Sequence, residues 1–207
     1  MTFVIATVQQ KGGSGKSTIS AHIATSLKTL GLSTKIIDID PQKTLNYWFE
    51  VRQKNQFNQK LPIELVTCSG WKVANEIAVS KAKVTIIDSP PHMESETKAA
   101  IRAADLVIIP IQVTPNDLWA SGKIINYILN EKKKILIVLN RVTHNSKLIA
   151  QVDNFIPNYL QKFSISNRSI FANSMFNGLT AIEADPKSLA AQEILLLAKE
   201  IFSLIKS

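Results

Sequence analysis

Cysteine is nearly absent from this 207-residue chain; Cys68 stands alone. One thiol allows no disulfide framework and no cysteine-built zinc site. Histidine is scarce too, and His22, His92 and His144 are widely spaced. Each reads as a surface or boundary residue before it reads as a ligand. No run of 18 apolar residues occurs, which excludes a membrane-spanning helix. The opening Met1-Thr2-Phe3-Val4-Ile5-Ala6 lacks the charged region and cleavage site of a signal peptide. A cytoplasmic location is the default expectation. Acidic residues are the last shortage: 16 Asp and Glu face 24 Lys and Arg, leaving +8, and twenty of those bases are lysine. Such an excess points to an anionic partner, nucleic acid or a membrane surface.

What remains is an ordinary globular composition, 45% hydrophobic and 19% charged. At roughly 150 residues per domain the length predicts about one domain. Apolar β-branched runs at 2–8 and 34–39 read as buried strands, and those at 63–67, 84–88, 106–113 and 135–140 as further strands. Helical periodicity occupies 17–30, 44–54, 71–79, 94–104 and 115–129. Thr114 caps the last of these, with Pro115 at its first position. Further on, 147–160 reads as a helix disturbed by Pro157 and 163–166 as a short strand. A helical turn or two follows at 169–176, and Pro186 opens a final helix to about 205. Strands alternating with amphipathic helices imply an α/β fold, a mostly parallel twisted sheet with helices on both faces. No linker, repeat or low-complexity stretch divides residues 1–207.

The segment Gln9-Gln10-Lys11-Gly12-Gly13-Ser14-Gly15-Lys16-Ser17-Thr18 lies between the first strand and the first helix. There, glycines let backbone N–H groups turn toward phosphate oxygens, and the helix N-terminus adds a positive end. Lys16 is placed to reach the β- and γ-phosphates, and Ser17 to offer a hydroxyl to Mg²⁺. The ordinary pattern G-x-x-x-x-G-K-[ST] wants glycine at position 10, where this chain has Gln10, and a second lysine, Lys11, opens the loop. Three further motifs stand out: Ile36-Ile37-Asp38-Ile39-Asp40-Pro41-Gln42, Ile86-Ile87-Asp88-Ser89-Pro90-Pro91 and Asp185-Pro186-Lys187-Ser188.

Together these four motifs, in this order, resemble the deviant Walker A ATPases of the ParA/MinD family, most of all small plasmid-partition ParA proteins of the ParF kind. The resemblance implies a P-loop NTPase fold with ATP and Mg²⁺ as cofactors. Lys11, Gly12, Gly13, Ser14, Gly15, Lys16, Ser17 and Thr18 would hold the nucleotide. Lys11 would cross a two-fold interface to the partner's phosphates, making the active unit an ATP-sandwiched homodimer. Asp40 would position the attacking water near the metal, Asp88 would hold Mg²⁺ through a water beside Ser17, and Asp38 would support them. Asn140 and Asn167 would contact the adenine, although the family's usual Ile-Pro before the second position is Ile165-Ser166 here.

The resemblance further implies binding to nonspecific nucleoid DNA, with Lys187 at a basic position of the family element. Arg168 is next to the position, Asn167, where the family carries a second arginine. Lys132-Lys133-Lys134 reads as a solvated loop. With the phosphate loop so close to Met1, no N-terminal helix-turn-helix domain is expected. A separate ParB-like centromere-binding protein would then read sequence and stimulate hydrolysis. A MinD-like membrane ATPase is the nearest rival, but Glu193 and Glu200 on the last helix oppose anionic lipid, so no stable membrane association is expected. A nitrogenase-reductase-like protein would need two cysteines. A small-molecule ligase of the dethiobiotin-synthetase kind, or an ATPase that positions another cargo, would share the loop.

Overall fold

A computed structural model describes residues 2–143 and 148–206. Seven parallel strands form one sheet in the order β3-β2-β4-β1-β5-β6-β7. They are β1 (Phe3–Thr7), β2 (Thr34–Asp38), β3 (Glu64–Thr67), β4 (Val84–Asp88), β5 (Leu106–Gln112), β6 (Lys134–Val142) and β7 (Gln161–Ser166). The helices are α1 (Lys16–Thr29), α2 (Thr44–Lys54), α3 (Phe57–Lys60), α4 (Val73–Ala78), α5 (Ser95–Ala103), α6 (Pro115–Asn130), α7 (Ile170–Phe176), α8 (Ala181–Ala184) and α9 (Leu189–Lys206).

Strand residues alternate between two cores because successive side chains leave opposite faces. Ile5, Leu106 and Ile108 join α1, α2 and α9 on one face. Val4, Ala6, Val107 and Ile109 join α5 and α6 on the other. Burial on both faces explains why the strands read as unbroken apolar runs. No described helix is long and apolar enough to cross a membrane.

Buried Arg52 of α2 fixes that helix to the layer of α7 and α8. Its guanidinium donates to both Glu183 oxygens (2.7 and 3.0 Å) and to the carbonyls of Gly178 and Leu61. Gly178 sits at φ 75, and a Cβ there would lie 2.5 Å from the Arg52 nitrogen. Only glycine fits so close an approach.

The structure adds the short helices α3 and α8, which the sequence reading did not name, and departs from it in three further places. The described part of 147–160 forms a 3₁₀ segment, Ile149–Asn154, in place of an α-helix. Pro157 has no N–H to give to residue 153, and only a few apolar residues, such as Val152 and Ile156, reach the core. Lys147 lies outside the described residues, as does His144. The last helix begins at Leu189, not Pro186: Ser188 Oγ accepts the Ala191 N–H (3.1 Å) and caps it. The third departure is His22, a fully buried residue and not a surface one. Its Nε2 accepts the Ala181 N–H (3.0 Å), so Nδ1 carries the proton and donates to the Thr18 carbonyl (2.8 Å). α1 is wrapped by the sheet, α8 and α9, and burial holds His22 down to about pKa 4.

Candidate nucleotide site

Parallel strands bring their carboxyl ends to one edge, and β1, with β4 and β5 on either side, opens the crevice where such folds bind ligands. Asp38, Asp88 and Thr7 share one register across β2, β4 and β1. The loop between β1 and α1 turns over them. Gly13 (φ 75) and Gly15 (φ 97) take left-handed conformations, and a Cβ on Gly15 would lie 2.3 Å from Asn140 Nδ2. That amide donates to the Ser14 carbonyl (2.8 Å), while Gln112 Nε2 donates to the Gly13 carbonyl (2.9 Å). The loop is thus braced from β5 and β6 with the first amides of α1 facing outward, where no helical carbonyl can pair them.

Lys16 curls under the loop. Its Nζ donates to the Gln9 carbonyl at 3.3 Å and the Lys11 carbonyl at 3.5 Å. Burial lowers its pKa, against the raising effect of Asp88 and Asp40. Asp88 is fully buried; its Oδ2 accepts from Ser17 Oγ (2.7 Å) and its Oδ1 from Ser20 Oγ (2.9 Å). Burial, reinforced by the charge of Asp38, pushes Asp88 up to about 7. Asp38 rises to about 6, again chiefly through burial. Asp38 Oδ1 accepts the Asp40 N–H (3.0 Å), and Asp40 Oδ1 accepts the Gln42 N–H (2.9 Å). These two bonds fold the Asp40-Pro41-Gln42 turn and aim Asp40 at the loop. A cavity of about 330 Å³ results, lined by Gly12, Gly13, Lys16, Ser17, Thr18 and Asp40 among others.

A second cavity, of about 310 Å³, adjoins it through Gly15, Thr18 and Arg141. Asn140, Asn167 and Arg168 line it. Every residue read as nucleotide- or metal-binding therefore lines one of these two cavities or, as with Lys11, Ser14 and Asp88, bonds to a residue that does. Arg168 is not a free cation: Glu193 accepts from its Nε (3.2 Å) and Nη2 (2.9 Å). Lys187 is exposed and lines neither cavity.

Lys11 Nζ lies 2.9 Å from Asp117 Oδ1, a carboxylate with 1% exposure at the start of α6. Sequence reasoning named Thr114 and Pro115 at this helix start and did not single out Asp117, whose N–H donates to Thr114 Oγ1 (3.3 Å). Arg141 was also missed. It sits in a left-handed conformation (φ 55) at a register break between Leu139 and Val142, where it lines both cavities. Backbone strain of this kind marks sites where a side chain is re-aimed. The only signal in the sequence was its place after Asn140 at a strand end.

The donors at Ser17 and Asp88 are a hydroxyl and a carboxylate, both oxygen. Mg²⁺ takes few protein oxygens and keeps several waters, so this set fits it. Among the described residues no cluster of three or more His, Cys, Asp or Glu forms a dedicated metal cage.

Residues 5–181 match the family model of the CobQ/CobB/MinD/ParA nucleotide binding domain. The chain is 27% identical over 210 residues to the maintenance of carboxysome distribution protein A of Halothiobacillus neapolitanus, covering 96% of both chains. It is 24% identical over 246 residues to the sporulation initiation inhibitor protein Soj of Bacillus subtilis, covering 96% of this chain and 97% of that one. The septum site-determining protein MinD of Pyrococcus horikoshii, solved with Mg-ADP, superimposes with a TM-score of 0.78 at 19% identity, over 99% of this chain and 97% of that one. With its parallel sheet, its lysine-opened phosphate loop and its paired cavities, the chain belongs to the CobQ/CobB/MinD/ParA nucleotide-binding family.

Proposed function

We propose that the chain is a Mg-ATP-dependent ATPase that partitions DNA, a plasmid or a chromosome, by binding DNA as an ATP-joined dimer and releasing it on hydrolysis. The observation that carries the reading is the cluster beneath the loop. A buried lysine, a serine hydroxyl already held by Asp88, and Asp40 all meet at one cavity, and a base-sized cavity adjoins it.

Phosphoryl transfer needs charge neutralisation and a positioned nucleophile. Lys16 sits where β- and γ-phosphate oxygens would replace its carbonyl partners. Ser17 and Asp88 would hold Mg²⁺, which supplies charge neutralisation at the phosphates when bound. Asp40, fixed by the Asp38 and Gln42 bonds, would orient the attacking water. Arg141 stands between the two cavities and would take phosphate or ribose oxygens. Asn140 and Asn167 would meet the base. Lys11 must leave Asp117 to reach a partner's nucleotide, so dimer formation exchanges an ion pair within one chain for a phosphate contact across two. Lys187, with Arg168 nearby, would contribute DNA contacts, and a ParB-like protein would stimulate turnover.

A second reading keeps the chemistry and changes the cargo, because one relative over nearly the full length distributes carboxysomes by its printed name. The test is binding to random-sequence duplex with Mg-ATP, with Mg-ADP and without nucleotide. At least tenfold tighter binding with Mg-ATP is expected; equal binding in all three states would contradict the reading.

A further inference from the structure

The amino ends of the strands, opposite the nucleotide site, enclose another cavity of about 630 Å³. Phe3, Leu32 and Ile205 contribute apolar surface, and Lys83, Lys132, Lys133 and Lys134 contribute charge. One carboxylate lines the cavity, Asp105, and its Oδ2 is engaged by the Val4 N–H (2.8 Å). Glu131, beside Lys132, is paired with Arg102 (3.2 Å). Lys133 Nζ donates to the Arg102 carbonyl (2.6 Å). Among the described residues Lys83, Lys132 and Lys134 have no carboxylate within 4 Å.

Their backbones are nonetheless held. The Lys83 N–H donates to Ser33 Oγ (2.9 Å), and the Lys132 N–H donates to the Leu129 carbonyl (2.9 Å). Lys132 occupies a left-handed position (φ 56), the place after a helix that favours glycine. Lysines after α6 do complement the negative end of that helix. That role does not account for Lys83, which enters β4 from the other side of the cavity. Three ammonium groups without a carboxylate partner among the described residues therefore gather at one cavity in a protein already at +8, an arrangement suited to an anion.

We propose that this lysine-rimmed groove binds the phosphate backbone of duplex DNA, as a contact surface separate from Lys187 and Arg168. Lysine is a hydrated point charge suited to phosphates without base reading, and Phe3, Leu32 and Ile205 line the same cavity. Resting here on the proposed ATP-joined dimer, the inference has a geometric consequence. A dimer closed at the nucleotide ends carries its two grooves at opposite outer ends. Facing apart, the two grooves take separate duplex segments, so long DNA held at both is bound more tightly through effective concentration, whereas a short duplex meets one groove at a time. ATP would then strengthen DNA binding without creating the surface.

The test uses the full chain and a triple variant, Lys83→Gln, Lys132→Gln and Lys134→Gln, with the matching triple Lys→Arg as control. Binding to a 60-base-pair random duplex is followed by fluorescence anisotropy across a salt series, beside ATP hydrolysis without DNA. The Gln triple should lower the slope of log K against log salt by about 2.7, three phosphate contacts at about 0.9 each. The Arg triple should retain wild-type binding, and hydrolysis should stay unchanged in both. An unaltered slope in the Gln triple would overturn the proposal. So would lysine-dependent binding to phosphatidylglycerol vesicles with DNA binding untouched. If the wild type fails to hydrolyse ATP while the Gln triple still loses DNA binding, the ATPase reading falls and the groove stands.

Discussion

At the carboxyl ends of the strands, Asp38, Asp40, Asp88 and Asp117 are buried, and each carboxylate is held by a backbone amide or a hydroxyl. At the amino ends, Lys83, Lys132 and Lys134 are exposed and lack carboxylate partners among the described residues. The first arrangement spends desolvation energy to fix a few charges in one geometry, the condition for positioning a metal and a water. The second leaves charge hydrated and adaptable, the condition for binding a polyanion without a fixed register. On the proposed function, buried charge serves chemistry or anchoring, and exposed charge serves association.

Substitutions at the buried end should break this contrast most visibly. Lys16→Ala should weaken ATP binding more than 100-fold by calorimetry; affinity within threefold of wild type would remove Lys16 from the phosphate site. Arg52→Met strips half-buried Glu183 of its guanidinium partner and should cost about 3–5 kcal/mol in denaturant unfolding. A smaller loss would mean that α2 is anchored by packing alone.

His22 sharpens the same point through pH. The unfolded chain protonates near 6.5 and the folded residue only near 4. Its contribution is therefore fully present above pH 6.5 and lost as pH falls toward 4, about 3 kcal/mol in all. Asp38 and Asp88, raised to about 6 and about 7, work in the opposite sense, since the folded state binds their protons first. Comparing wild type with His22→Gln at each pH cancels the carboxylates. The wild-type advantage should shrink between pH 7 and 4; a constant difference would contradict the buried neutral imidazole.

Gly15→Ala forces a Cβ into a left-handed turn against Asn140, and about 2–4 kcal/mol of destabilisation is expected. Adding Asn140→Ala should recover part of it, which a double-mutant cycle measures. The smallest effect belongs to the exposed end. Lys83→Gln or Lys134→Gln should leave the unfolding midpoint unchanged, and a clear loss would show that these lysines are structural.

Much of the fold was legible because both faces of the sheet are covered, so each central strand announces itself as an apolar run, whereas the edge strands β3 and β7 are more polar. Val84–Asp88 and Thr44–Lys54 fall where periodicity puts them. The phosphate loop was legible because glycine, lysine and serine can be spaced in few other ways at a strand-to-helix turn. His22 was not, since its burial depends on α8, more than 150 residues away in sequence. Asp117 carries two roles, and helix capping alone explains its presence locally. The lysines at 132–134 read as loop residues because Lys83, which makes a groove of them, comes from a distant strand entry. In each case the missing information was tertiary.

The central claim, that ATP joins two chains through Lys11, is tested most directly by sedimentation of Asp40→Ala with Mg-ATP, where slow turnover preserves the bound state. The account predicts twice the 22.9 kDa chain mass for Asp40→Ala, and a monomer with nucleotide still bound when Lys11→Ala is added. A monomer in the first case, or a dimer in both, would contradict it.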